Sequence, residues 1–180
     1  FALRVLLEAG LEGIHGYVAQ LGEVKEKYRY ALEIAAGSRL GQIVVDNDFV
    51  ASKAIDILKR KKAGRLTFLP LNRLRKSSNN FSTARFEMKD SKGFVDKAIN
   101  LIDYENIYSD VFHYVFGDTK VFSDLNKAKN VKIKSRIVTL SGELLESTGA
   151  ITGGSKLNRE LIFRFGSNDD IDEISPFKKR

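Results

Sequence analysis

The sequence predicts a mixed α/β protein built as two small lobes that repeat one another. Three observations predict it. Segments with helical periodicity alternate with short apolar strand-like runs. The order of segments in the first half returns, degenerate, in the second. A polar, serine- and asparagine-rich stretch without periodicity, Asn72 to Gly93, separates the halves and reads as a linker.

In the first half, Gly13–Val24 opens with a glycine turn and continues as a short apolar strand. Lys25–Gly37 reads as a helix: Tyr28, Ala31, Leu32, Ala35 and Ala36 make an apolar stripe, and Gly37 stops it. Gln42–Asp46 is a buried-type strand. A second helix follows, capped by Asn47 or Asp48, lined by Val50, Ala51, Ala54, Ile55 and Leu58, and ended by Gly64. Arg65–Leu71 is a further strand, closed by Pro70.

The second half echoes this. "GFVDKAINLI" matches "GYVAQLGEV", and an apolar-faced helix stops at Gly117 as the first stops at Gly37. "DLNKAKN" is a shortened second helix, and "RIVTLSGEL" matches "RLTFLPL". The second lobe adds a hairpin through Ser141–Glu143 into "TGAITGG". Lobes this small have sheet edges that must be paired or covered.

Composition narrows the chemistry. There is no cysteine, which excludes disulfides, thiol catalysis and cysteine-bound zinc and fits a reducing compartment. The only histidines, His15 and His113, are far apart in sequence, a poor basis for a metal site. His15, between two glycines, reads as a turn or packing residue and His113 as part of a packed helix. No apolar run approaches a membrane span, and the acidic N-terminal segment is no signal peptide. A chain opening on Phe1 reads as a piece of something longer. The 180 residues carry a formal charge of +7, which favours polyanions without implying sequence reading.

That charge is concentrated. From Lys53 to Lys76 there are nine basic residues and one acid, Asp56. Lys59, Arg60, Lys61 and Lys62 either complement a helix C-terminus or contact a polyanion. A second basic segment, including Lys132 and Lys134, lies at the corresponding place in lobe two. Neither is interleaved with aromatics, so the contact expected is to nucleic-acid backbone. The acidic "DND" at 46–48 reads as helix capping, since a calcium loop's glycine and final glutamate are missing.

"TGAITGGSK", Thr148 to Lys156, has three readings. A phosphate loop needs Gly-Lys-Ser/Thr in that order, whereas here serine precedes lysine. A plain turn uses glycine for its positive φ. A third reading is close approach: bare backbone at a sheet end lets another chain's backbone dock.

These segments, in this order, resemble the hinge domain of structural maintenance of chromosomes (SMC) proteins, especially the bacterial type. The resemblance spans about Gly13 to Ser155, and the most specific pieces are "GRLTFLPL" and "GAITGGS". It implies an SMC-hinge-like fold of two pseudo-duplicated lobes that dimerises as a ring, lobe one of each protomer meeting lobe two of the other. It places Gly149, Gly153 and Gly154 at the dimer contact. It implies the boundaries 1–12 for the end of an N-terminal coiled-coil arm, 13–75 for lobe one, 76–92 for the linker, 93–155 for lobe two and 156–180 for the start of the C-terminal arm. The expected function is a non-enzymatic dimerisation module of a chromosome condensation and segregation ATPase, cytoplasmic and nucleoid-associated. DNA would be a secondary partner through Lys59, Arg60, Lys61, Lys62, Lys132 and Lys134. No cofactor, metal, membrane or small-molecule substrate is expected here, since ATP and magnesium belong to absent head domains. The rival readings are a freestanding basic nucleic-acid-binding domain and a small phosphate-handling enzyme.

Overall fold

The computed structural model describes residues 1–75, 91–132, 135–155 and 164–166. The expected linker, 76–92, and the expected C-terminal arm, 156–180, lie almost wholly outside these residues.

Lobe one is built on a three-stranded sheet in the order β1-β3-β4. Its strands are β1 (Ile14–Tyr17), β3 (Ile43–Val45) and β4 (Phe68–Pro70). β1 runs antiparallel to β3, and β4 runs parallel to it. The connections are α2 (Glu26–Ala36) and α3 (Asp48–Lys61). Lobe two repeats the plan with β5 (Phe94–Lys97), α4 (Ser109–Phe116), β7 (Lys120–Phe122), α5 (Leu125–Ala128) and β8 (Ile137–Thr139). The β5–β7 pair is antiparallel and the β7–β8 pair parallel. Both antiparallel pairs carry a register shift at the same place, Ile14/Gly16 and Phe94/Asp96. α2 and α4 end alike: Gly37 at φ 56°, ψ −135°, and Gly117 at φ 52°, ψ −128°. Asn47 and Asp124 cap α3 and α5 by accepting from the N–H groups of Val50 and Lys127. The duplication therefore extends to backbone detail.

Two features go beyond the repeat. Lobe two continues past β8 into β9 (Leu144–Leu145) and β10 (Ile151–Thr152), giving a five-stranded sheet in the order β10-β9-β8-β7-β5. Residues after each 3-10 turn, β2 (Gly22–Val24) and β6 (Ile102–Tyr104), pair with each other across the lobes. Gly22 faces Tyr104, Glu23 faces Asp103, and Val24 faces Ile102, so the local two-fold relation between lobes passes between Glu23 and Asp103. "GIHGYVAQLGEV", expected to be one strand, is thus two strands around a 3-10 turn, because the second strand's partner lies in the other lobe.

The lobes share a single main core. Ala31, Leu32 and Ala35 of α2 pack with Val111, Phe112 and Val115 of α4, and Phe165 enters the same cluster. The N-terminal helix α1 (Ala2–Glu8) buries Leu3 and Leu6 in lobe one; Leu6 joins Ala54 and Leu58 of α3 and Ala63. Asn72 and Arg73, which open the polar stretch but fall within the lobe-one boundary of 13–75, fold back on α3. Asn72 exchanges two 3.0 Å hydrogen bonds with Asp48, and Arg73 donates to the Asp48 carboxylate at 2.8 and 2.5 Å. These donors hold the Asp48 carboxyl below the usual carboxylate range.

Candidate interface edges and basic surfaces

β4 and β8 occupy equivalent places, yet their outer edges differ. β8 is covered by β9, and β9 by β10. β4 ends its sheet. Ile43 donates to the Thr67 carbonyl and Leu71 donates to Val45, so the odd-numbered residues of β4 bond inward. By alternation, the Phe68 N–H and C=O point outward. Pro70 sits on the same open edge, where its missing N–H costs no ladder bond.

At the other end, β10 is the terminal strand of the five-stranded sheet, and residues 147–155 are all exposed. Ile151 presents an apolar side chain that is 58% exposed. Gly149 makes the β9–β10 turn at φ 97°, a left-handed conformation that a side chain strains. Its N–H donates to Glu146, whose own N–H donates to Ala150. A Cβ on Gly149 or Gly154 would meet nothing within 4 Å among the described residues, and Gly154 also has positive φ, 151°. Gly153 differs: a Cβ there would lie 3.0 Å from Cγ of Glu143. Glu143 is fixed across the β8–β9 turn, accepting from the Thr139 hydroxyl through its carboxylate while its N–H donates to that same oxygen.

The basic residues take two places. Lys59, Arg60 and Lys61 form the last turn of α3, exposed, with Lys62 as its left-handed C-cap at φ 50°. Their charges complement the carbonyl end of the helix dipole. Lys132 is exposed in the loop between α5 and β8, the corresponding place in lobe two. Lys134 lies outside the described residues.

Sequence reasoning missed the polar clasps between lobes. Arg39 donates to the carbonyls of Tyr114 and Val115 at the end of α4, at 3.1 and 3.2 Å. Arg136 donates to the Ala35 carbonyl at the end of α2 and pairs with Glu146. Each lobe thus supplies the cation that caps the other's helix, across a cleft of about 630 Å³. His15, an expected turn or packing residue, lies in β1. Its Nδ1 is 2.7 Å from the Tyr108 hydroxyl and its Nε2 is 2.5 Å from Asp46 Oδ1. With both nitrogens engaged, it is a bridge between lobes. Burial, reinforced by Glu105 and Asp46, pushes the Tyr108 hydroxyl pKa up, the opposite of an activated nucleophile. Lys120, buried in β7, is held by Asp118 Oδ2 and Ser135 Oγ, each at 2.7 Å. Its counterpart in lobe one is Ile43, so the repeat gave no hint of a buried charge. Among the described residues no His, Cys, Asp and Glu cluster could hold a metal ion, and no helix is long and apolar enough to cross a membrane.

Fold and edges together define a pseudo-symmetric two-lobed module in which, among the described residues, β4 and β10 are terminal strands of their sheets. The family model for the flexible hinge domain of SMC proteins matches residues 11–132, and the chain belongs to that family. Among curated relatives, it is 51% identical over 168 residues to the chromosome partition protein Smc of a Synechococcus species, covering 93% of this chain and 14% of that protein. It is 48% identical over 185 residues to the Synechocystis protein of the same name, covering 100% and 15%. The chain thus spans about a seventh of the length of these relatives. Among solved structures, the hinge domain of Geobacillus stearothermophilus SMC, crystallised as an asymmetric dimer, superposes with TM-score 0.77 at 33% identity, covering 87% of this chain and 66% of that one. The Pyrococcus furiosus SMC hinge gives 0.69 at 37%, covering 85% and 78%.

Proposed function

We propose that this chain is the dimerisation hinge of a longer chromosome-partitioning SMC ATPase. Two copies close a two-fold ring through two equivalent joints, the β4 edge of one meeting the β10 edge of the other. The observation that carries this reading is the mismatch between repeats. Lobe two covers its β8 edge with β9 and β10, while lobe one leaves β4 open. A closed two-fold arrangement covers β4 and β10 of both chains at once. Gly149, Gly153 and Gly154 keep the rim of β10 bare so that a second backbone can approach.

DNA is a secondary partner in this proposal. Lys59 to Lys62, with Lys132 and Lys134 at the matching position, contact phosphates without reading sequence. The chain itself is non-catalytic. ATP and magnesium act in other parts of the longer protein, and the glycine stretch serves the joint. The location is the cytoplasmic nucleoid.

Sedimentation of the purified chain tests the reading. The expected result is a dimer at micromolar concentration; a monomer at tens of micromolar overturns it. The same monomer, binding DNA with steep salt dependence, is the result expected of a freestanding basic nucleic-acid-binding domain.

A further inference from the structure

The two edges that the proposed joint brings together carry opposite charge. From residue 62 to residue 75, through and around β4, the sequence holds Lys62, Arg65, Arg73 and Arg75 and no acid, a formal +4. From residue 139 to residue 155, through β9 and β10, it holds Glu143 and Glu146 and no base, a formal −2. Lys62, Arg65, Arg73 and Arg75 are all exposed, and Glu143 and Glu146 are partly so. Glu143 is carried to the rim, since Gly153, at the end of β10, lies directly over its side chain. Its carboxylate is held in place by the buried Thr139.

We infer that this charge difference selects the pairing. It is a specificity device at the joint proposed above and rests on that reading. Its partner is a second copy of this chain, presented with its lobe-two edge. An open β4 edge can in principle pair with another β4 edge, also with two-fold symmetry. Arg73 is paired with Asp48 and Glu146 with Arg136. The charges left to act at the joint are Lys62, Arg65 and Arg75 on the β4 side and Glu143 on the β10 side. The β4–β4 alternative sets cations against cations, while the lobe-one to lobe-two joint sets them against Glu143. Charges at the rim of an interface act mainly on the rate of encounter and on the exclusion of wrong partners. Arg65, three residues before Phe68, whose backbone N–H and C=O face the open edge, and Glu143, beneath Gly153, are the residues assigned to this selection.

Charge reversal in the intact chain tests it, with dimer affinity and association rate measured at 50 and 500 mM salt. Arg65→Glu and Glu143→Lys, each alone, are expected to slow association about tenfold at low salt. The double variant is expected to recover most of that loss. Glu143→Gln keeps an acceptor for Thr139 and is expected to give a smaller loss; thermal melts of every variant verify folding. Single variants that associate like the parent overturn the assignment, and so does a double variant no better than the product of the singles. In both cases the parent remains a dimer, so the proposed joint stands. A monomeric parent instead removes the joint itself.

Discussion

Glu33 in α2 accepts a 3.0 Å hydrogen bond from the backbone N–H of Phe165, 132 residues further along the chain. Both residues are buried, and the Phe165 ring sits in the core shared by the lobes. The bond fastens the chain beyond β10 back onto lobe one.

Burial pushes the Glu33 carboxyl pKa up from its ordinary 4.5, against the Phe165 N–H and the charges of Arg29 and Arg164, which pull it down. The folded state therefore holds the proton more tightly than the unfolded chain. Below 4.5 both states are protonated; as pH rises through the raised value the folded carboxyl must ionise, and stability falls. Glu33→Gln keeps an acceptor for Phe165 without the buried charge. It is expected to match or exceed the parent at pH 7 and to lose the decline between acid and neutral pH. Glu33→Ala strands a buried N–H and is expected to cost about 1–3 kcal/mol. Urea unfolding at pH 4.5 and pH 7 measures all three.

The duplication was legible because its signals are local. Apolar stripes ending in Gly37 and Gly117, and the all-buried strands Ile43–Val45 and Lys120–Phe122, are set by periodicity and glycine stops. The lobe-crossing features were not. "GEV" and "IDY" carry no strand period, and only their mutual pairing makes them β2 and β6. Lys120 reads as a surface residue, yet only 1% of it is exposed, because Asp118 and Ser135, two and fifteen residues away, meet its ammonium. The bridge of His15 to Tyr108 spans 93 residues and leaves no trace in local pattern. At the candidate edges, the glycines and lysines were visible from sequence, whereas the open edge of β4 required the sheet order.

The β2–β6 ladder gives a second prediction. Gly22 is buried, and a Cβ there would lie 2.7 Å from Cζ of Phe112 and 3.0 Å from Ile102. Phe112 is fully buried and stacked on Tyr104 at 4.8 Å, so it has little room to yield. Gly22→Ala is expected to destabilise by about 1–3 kcal/mol through overpacking. Adding Phe112→Leu is expected to make the two changes less than additive, since the smaller side chain relieves the clash. Strict additivity in denaturant melts contradicts the packing.

Reversing Lys59, Arg60 and Lys61 to glutamate tests the basic end of α3. DNA affinity at low salt is expected to fall at least tenfold, and the slope of log affinity against log salt to flatten by about 0.9 for each phosphate no longer neutralised. The helix itself weakens, since acids now face its carbonyl end, so circular dichroism accompanies the binding assay. Dimerisation is expected to persist, because these residues precede the β4 edge. Unchanged affinity and slope would assign the lysines to helix-end solvation alone.

The glycines at the rim of β10 separate strain within the chain from contact with a second one. A Cβ on Gly154 meets nothing within 4 Å among the described residues, although its positive φ costs roughly 1–3 kcal/mol. Gly10, at φ 72° beyond the end of α1 and with nothing within 4 Å of a Cβ among the described residues, is a second positive-φ glycine, outside β4 and β10. Gly154→Leu is expected to be folded, somewhat less stable and monomeric in sedimentation. Gly10→Leu is expected to lose similar stability and remain dimeric. Should both variants dimerise like the parent, bare backbone at the rim is not what the joint requires; should both dissociate, lost stability rather than a blocked approach accounts for the effect.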